Sequence, residues 1–299
     1  MTRVVVTGGA GRLGRSVVAG LRAAGHAVVS VDRQADPADQ DSRQVDLLDG
    51  AAAQAVLVET GAEAVVHLAA IATPFSAPEP VILQTNTMLA HTVATAAVAA
   101  GVGRVVVASS PTVYGYGSPA GWVPDALPLD ETSPTRPWNA YALSKLVAES
   151  VVAMFAAQLG DRVRFAAFRP CYVIAPEEWR GAVTQQGHTV AERLADPALS
   201  APALFNYLDA RDAADFVLAL LARMDTVPNG QTFVVGADDA LAERPLAELL
   251  PIYHPGTAVA AAALTGTAPA FSNALAKRLL DWRPRRAWRT ELAAVAGAR

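Results

Sequence analysis

The sequence predicts an α/β fold, a doubly wound parallel sheet with a small C-terminal lobe, from three observations. Short, nearly continuous apolar runs recur at Arg3–Thr7, Ala27–Val31, Ala64–Leu68, Arg104–Ala108 and Val163–Phe168, the composition of strands buried on both faces. Between them lie longer segments of helical periodicity. A glycine-rich turn joins the first strand to the first helix. Such alternation builds a parallel sheet covered by helices on both sides.

Taken in order, Arg3–Thr7 is β-branched, and Gly8–Gly14 supplies the turn. Leu13–Ala24 then spaces Leu13, Val17, Leu21 and Ala24 along one helix face, with Gly25 as its stop. Ala51–Thr60 and residues 81–100 read as helices on either side of Ala64–Leu68. Residues 115–137 break the alternation with Pro119, Pro124, Pro128, Pro134 and Pro137 among Gly115, Gly117 and Gly121. A loop this long in a compact domain is usually functional. Asn139–Leu159 is a strong helix with Asn139 as its N-cap, and Pro170 closes the strand Val163–Phe168. Beyond it, Thr189–Ala195, Ala210–Arg223 and Asn273–Leu280 read as helices and Thr232–Val235 as a strand. The expected division is 1–170 with return segments at about 209–235, and a smaller substrate-binding lobe from 171–208 and 236–299.

The 299 residues are 52% hydrophobic and 17% charged, with 24 Lys+Arg against 28 Asp+Glu for a net charge of −4. A chain of that size and composition buries a sizeable core and is not disordered. No basic block supplies the footprint of a nucleic-acid or anionic-membrane partner, so neither is expected. A lone Cys171 leaves no internal disulfide, Cys-based zinc site or iron–sulfur cluster, and no metal is expected. The apolar runs stop short of the roughly 18 residues of a spanning helix, and no secretory leader is visible. The expected location is the cytoplasm.

Gly8, Gly11 and Gly14 stand in G-x-x-G-x-x-G spacing between strand and helix. That arrangement suits a tight turn, close approach to a pyrophosphate and close helix–strand packing. The helix N-terminus adds free N–H groups and a positive dipole end. Asp32, 18 positions beyond Gly14 at the end of the second strand, sits where a carboxylate accepts ribose hydroxyls. These residues describe a Rossmann-like dinucleotide site. The competing P-loop reading of residues 9–16 lacks the lysine that reaches terminal phosphates. Asp32 would repel a 2′-phosphate, which favours NAD over NADP, although Arg12 and Arg33 are arginines able to pair with one.

Tyr141 and Lys145, at i and i+4 on the Asn139–Leu159 helix, project from one face. A nearby ammonium favours the phenolate and makes Tyr141 a usable acid/base. Ser109 and Ser110 follow the strand Arg104–Ala108, at the carboxyl end where ligands bind in such sheets. A hydroxyl there steadies a substrate oxygen against Tyr141.

The glycine turn, Asp32, Asp46-Leu47, His67-Leu68-Ala69-Ala70, Asn86, Ser109–Gly115, Tyr141-x-x-x-Lys145, Arg169-Pro170 and the late Leu280-x-Trp282-x-Pro284 together resemble the extended short-chain dehydrogenase/reductase family, its NAD-dependent epimerase/dehydratase group. The resemblance covers nearly the whole chain. It implies Gly8, Gly11, Arg12 and Leu13 at the pyrophosphate, Asp32 and Arg33 at the adenosine ribose, and Asp46 and Leu47 at the adenine. It implies Leu68, Ala69, Ala70, Asn86, Ser109 and Pro170 around the nicotinamide side, with Lys145 on the nicotinamide ribose beside Tyr141. Ser110, Tyr141 and Lys145 are the implied catalytic set. Thr73, Ser110, Thr112, Tyr172 and Arg180 are implied to face the substrate, and a homodimer is implied as well. His67 reads as a packed strand-end histidine.

The chain departs from that family in two places. Members that dehydrate nucleotide hexoses resemble S-T-D-E-V-Y-G where this chain has Pro111 and Thr112, so it lacks the extra acid and base that elimination needs. Nucleotide-sugar epimerases resemble R-Y-F-N-x-x-G where this chain has Tyr172, which stacks and donates one hydrogen bond but does not imitate an amide. Arg180 and Arg211 are candidate anion partners and equally structural ion-pair partners, Arg211 especially, since Asp209, Asp212 and Asp215 surround it. The expected function is NAD-dependent interconversion of a secondary alcohol and ketone on a sugar or sugar-like small molecule. The alternatives are an NAD-dependent nucleotide-sugar epimerase and a non-catalytic NAD(P)-binding sensor or scaffold.

Overall fold

The computed structural model describes residues 1–297. The chain divides into two compact units, the first made of 1–113, 137–169 and 214–232, the second of 114–136, 170–213 and 233 onward. The proline-rich segment, counted by the sequence reading with the first unit, thus groups with the second.

The main sheet has seven strands: β1 (Arg3–Thr7), β2 (Ala27–Asp32), β3 (Ser42–Gln44), β4 (Ala64–His67), β5 (Arg104–Ala108), β6 (Arg164–Pro170) and β9 (Gln231–Val235), the last crossing the division. Their order is β3-β2-β1-β4-β5-β6-β9. Every pairing from β3 to β6 is parallel, with Val5 beside Val29 and Val65, and Val65 beside Val105. Val4, Val5, Val6, Val65, Val66, Val105 and Val106 are all buried, because helices cover both faces and leave no polar side to the strands. One face carries α2 (Gly50–Glu59), α3 (Glu79–Ala99) and α4 (Ala140–Leu159), whose Val56, Leu57, Val93, Val152 and Phe155 join Val5, Val65, Val105 and Phe165 in one core. The other carries α1 (Arg12–Ala23) and α8 (Ala210–Arg223). These two meet so closely that a Cβ on Gly20 would lie 2.8 Å from that of Ala214. Strand order reverses between β1 and β4, which opens a crevice at their carboxyl ends.

Residues 140–162, α4 with its one-turn extension, are long and apolar enough to cross a membrane by length and composition, with a mean hydropathy of 1.4. The sequence reading, which counted only uninterrupted apolar runs, missed this. The helix instead packs on α3 and β5 and buries Lys145 and Glu149, as the core helix of a covered sheet does. Asn139 caps it through Ala142 N–H at 2.8 Å, as its sequence predicts, and Glu79 accepts Ala140 N–H at 2.8 Å.

The second unit pairs β7 (Val173–Ile174) with β8 (Leu208–Asp209) and contains the short helices α5 (Pro176–Trp179), α6 (Val190–Ala195) and α7 (Pro197–Ser200). It also holds α9 (Leu246–Tyr253), α10 (Ala258–Ala261), α11 (Ala274–Leu280) and α12 (Trp288–Gly297). Ile174, Trp179, Val190, Leu194, Tyr207, Leu241 and Trp288 form its core. Residues 114–136 are tied down rather than loose. Trp122 is buried and donates to Tyr114 O at 3.0 Å, the Tyr114 hydroxyl donates to Asp130 O at 2.6 Å, and Leu129 bridges to Phe271.

Candidate active site

The turn after β1 is built by backbone alone. Gly8 has φ +71° and donates to Val31 O at 2.8 Å, and a Cβ there would lie 2.7 Å from Ala69 N. A Cβ on Gly14 would lie 2.1 Å from Gly8 O, so the helix can approach the turn only without a side chain. Gly11 differs, being exposed and having only Gly8 O, at 3.1 Å, near its would-be Cβ. It is the N-cap of α1, which has no side-chain cap and no acidic residue in its first turn. Open N–H groups and an uncompensated positive dipole end suit a pyrophosphate.

The same contacts bring Leu68 and Ala69, at the end of β4, against Gly8, with Ala70 following; all three are half-buried. Asp32 is half-buried at the end of β2, where its Oδ1 accepts Arg33 N–H at 2.7 Å, while the Arg33 side chain is exposed. Asp46 is exposed and accepts Leu48 N–H at 3.0 Å, and Leu47 is buried beside it. Asn86 is engaged inside the unit. Its amide accepts Ile71 N–H at 2.8 Å and donates to Ile71 O and Ser144 Oγ, both at 3.1 Å, so it pins the segment after β4 onto α4.

At the carboxyl end of β5 the two serines part company. Ser109 turns inward, its Oγ donating to Glu149 Oε1 at 2.5 Å, and Glu149 holds Arg169 bidentately at 2.7 Å on both nitrogens. That hydroxyl is committed inside the unit. Ser110 instead receives Thr112 Oγ1–H at 3.0 Å and hydrogen-bonds Tyr141. Lys145 is buried one turn beyond Tyr141 and donates to Ala108 O at 3.0 Å, with its Nζ 5.8 Å from the Tyr141 ring centre. Ser110, Tyr141 and Lys145 therefore meet as the sequence predicts, with Thr112 alongside. Thr73 is half-buried and accepts Ser76 Oγ–H on its carbonyl.

Burial pushes the Tyr141 phenol up to about 12, against the downward pull of its bond with Ser110. Burial also pulls Lys145 down to about 8. His67 falls to about 3, first by burial and then by the Lys145 charge, and bonds Thr7 Oγ1 at 2.7 Å. It is a neutral packed histidine.

In the second unit, Pro170 is half-buried and Arg180 is exposed at the end of α5. Arg211 pairs with buried Asp209 and with Glu291. Tyr172 is half-buried, its N–H donating to Asn206 Oδ1 at 2.6 Å and its ring lying under Arg193. Sequence reasoning missed Glu149 and Arg193. Glu149 left a signal, since Tyr141, Lys145 and Glu149 recur at i, i+4 and i+8.

Residues 4–236 match the model of the NAD-dependent epimerase/dehydratase family. The chain belongs to that family. That membership agrees with the resemblance to the extended short-chain dehydrogenase/reductase type. Over 158 residues it is 34% identical to a UDP-glucose 4-epimerase of Azospirillum brasilense, covering 50% of this chain and 43% of the relative. Over 150 residues it is 34% identical to a 2′-dehydrokanamycin reductase of Streptomyces kanamyceticus, covering 50% and 37%. The chain thus spans less than half the length of these curated relatives. A short-chain dehydrogenase/reductase superfamily protein from Agrobacterium tumefaciens, solved with bound NAD, superposes with a TM-score of 0.72 at 25% identity, over 99% of this chain and 96% of that one.

Proposed function

We propose that the protein epimerises a secondary alcohol of a sugar substrate through a transient ketone. The observation that carries this is the buried Ser110–Tyr141 pair with Lys145 one turn on, and the likeness to UDP-glucose 4-epimerases favours epimerisation over net redox. Bound NAD would supply the acceptor for the carbinol hydride and its source on return. Gly8, Gly11, Arg12 and Leu13 would hold its pyrophosphate, Asp32 the adenosine ribose, Leu47 the adenine, and Lys145 the other ribose. Ser110 would hold the substrate oxygen while Tyr141 moves its proton, giving it to the ketone oxygen in one direction and removing it from the alcohol in the other. A phenol held protonated by burial suits the donating step.

Net oxidation or reduction with product release is the second reading, favoured by Tyr172 where nucleotide-sugar epimerases resemble an asparagine. We also take the protein to be a homodimer through α3 and α4, a reading supported by exposed Val81, Met88, Leu143 and Met154.

The test supplies UDP-hexoses and free sugars to the purified protein and follows both epimeric product and NADH absorbance. Product without net NADH supports epimerisation, and stoichiometric NADH supports the second reading. Tyr141→Phe is expected to lower turnover by about 100-fold or more with NAD binding intact; turnover within tenfold of the parent overturns the assigned chemistry.

A further inference from the structure

Two arginines, Arg169 and Arg211, show what the guanidinium fork does in this chain. Arg169 places Nε and Nη2 on the two oxygens of Glu149, both at 2.7 Å. Arg211 places the same two nitrogens on the two oxygens of Asp209, at 2.9 and 2.6 Å. That edge, with its parallel N–H bonds, matches a planar or tetrahedral oxyanion bidentately.

Arg193, in the middle of α6, is only 1% exposed. Its guanidinium stacks 4.2 Å above the Tyr172 ring and gives Nη1 to Gln186 Oε1. Its Nε and Nη2 are buried and have no partner among the described residues, and neither has the Tyr172 hydroxyl. The acids on its own helix and just after it are spent elsewhere: Glu192 accepts Thr189 N–H and Oγ–H, and Asp196 accepts Ala198 N–H. A buried cation without a counter-charge is costly, and a buried donor without a partner calls for one. Stacking on Tyr172 fixes the plane of the fork but satisfies none of its hydrogen bonds.

We infer that Arg193, with the Tyr172 hydroxyl beside it, forms a binding site in the second unit for an oxyanion, a phosphate or carboxylate group of a small-molecule ligand. Arg193 supplies the bidentate edge and Tyr172 a further donor. Gln186, on an exposed turn between Gly181 and His188, holds the third nitrogen and thereby the orientation. Arg193, not exposed Arg180, is then the residue that reads charge. The inference holds whether the chemistry is epimerisation or net redox.

The experiment is calorimetric titration of the NAD-loaded protein with UDP, glucuronate, inorganic phosphate and neutral glucose. At least one oxyanion is expected to bind, and whichever of UDP or glucuronate binds more tightly names the source of the group. Arg193→Met is expected to weaken that ligand at least about tenfold, the loss of a bidentate charged contact, with glucose and NAD affinities unchanged. Because a core substitution can impair folding, Gln186→Glu is the second variant; it sets a carboxylate on the guanidinium from an exposed position and is expected to suppress oxyanion binding to a similar degree. Failure of all three oxyanions to bind, or oxyanion affinity within twofold of the parent in Gln186→Glu or in an Arg193→Met protein that still binds NAD, overturns the site. Loss of turnover in Tyr141→Phe has no bearing on these titrations, so the two readings fail separately.

Discussion

Replacing Glu149 tests how the catalytic end is held. Its carboxylate is 9% exposed and receives three hydrogen bonds, from Ser109 Oγ at 2.5 Å and from Arg169 Nε and Nη2 at 2.7 Å. Arg169 is itself 4% exposed. Glu149→Leu removes the counter-charge and leaves a buried guanidinium, a change that costs about 3–5 kcal/mol. Removing both charges with Glu149→Leu and Arg169→Met also removes the guanidinium that the single variant leaves facing the lost carboxylate, and the double variant is expected to recover at least about 2 kcal/mol of that loss, a coupling typical of buried partners. Urea unfolding monitored by far-UV circular dichroism gives both numbers, provided the slope with denaturant stays constant. Because Ser109 precedes Ser110, the single variant should also lower turnover by disturbing the strand end. A Glu149→Leu cost below about 1 kcal/mol, or a double variant whose cost is the sum of the singles, would refute the claim that this pair is a mutually dependent support.

Two other perturbations follow from the same unit. Gly14→Ala puts a Cβ 2.1 Å from Gly8 O and 2.7 Å from Gly9 Cα, so α1 must move from the turn; a loss of about 1–3 kcal/mol and weaker NAD binding are expected by thermal unfolding and NADH fluorescence, and unchanged values for both would contradict the packing role. His67 has its pKa lowered from 6.5 to about 3, so between those values the unfolded chain binds a proton that the native one refuses, and stability falls as pH falls. Between pH 6.5 and 4.5 the slope rises from about 0.7 towards about 1.4 kcal/mol per unit. His67→Asn should flatten that slope relative to the parent in urea titrations, and an equal slope in both proteins would show that His67 is not buried neutral.

Much of the fold is written in local pattern. Arg3–Thr7, Arg104–Ala108 and Ala210–Arg223 have the same bounds in sequence and structure, and the long helices agree to within two or three residues, because strands buried on both faces and helices with one buried face differ in period. Elements without such a pattern escaped. β3 is three residues at a sheet edge, β7 and β8 are two each, and α9 runs through Pro251 in a stretch that reads as a breaker. These form because a partner is already in place.

The candidate site divides along the same line. Sequence by itself determined the glycine turn, Asp32 and the Tyr141–Lys145 pair, since each depends on spacing within one strand–turn–helix segment or one helix face. Tertiary structure decided which of two adjacent serines faces Tyr141 and which faces Glu149. It also decided that Asn86 spends its amide on Ile71 and Ser144, that burial raises the Tyr141 phenol, and that Arg193 is buried without a carboxylate partner among the described residues. Those outcomes depend on desolvation and on partners distant in the chain. Both are set by packing, and residue order alone carries neither.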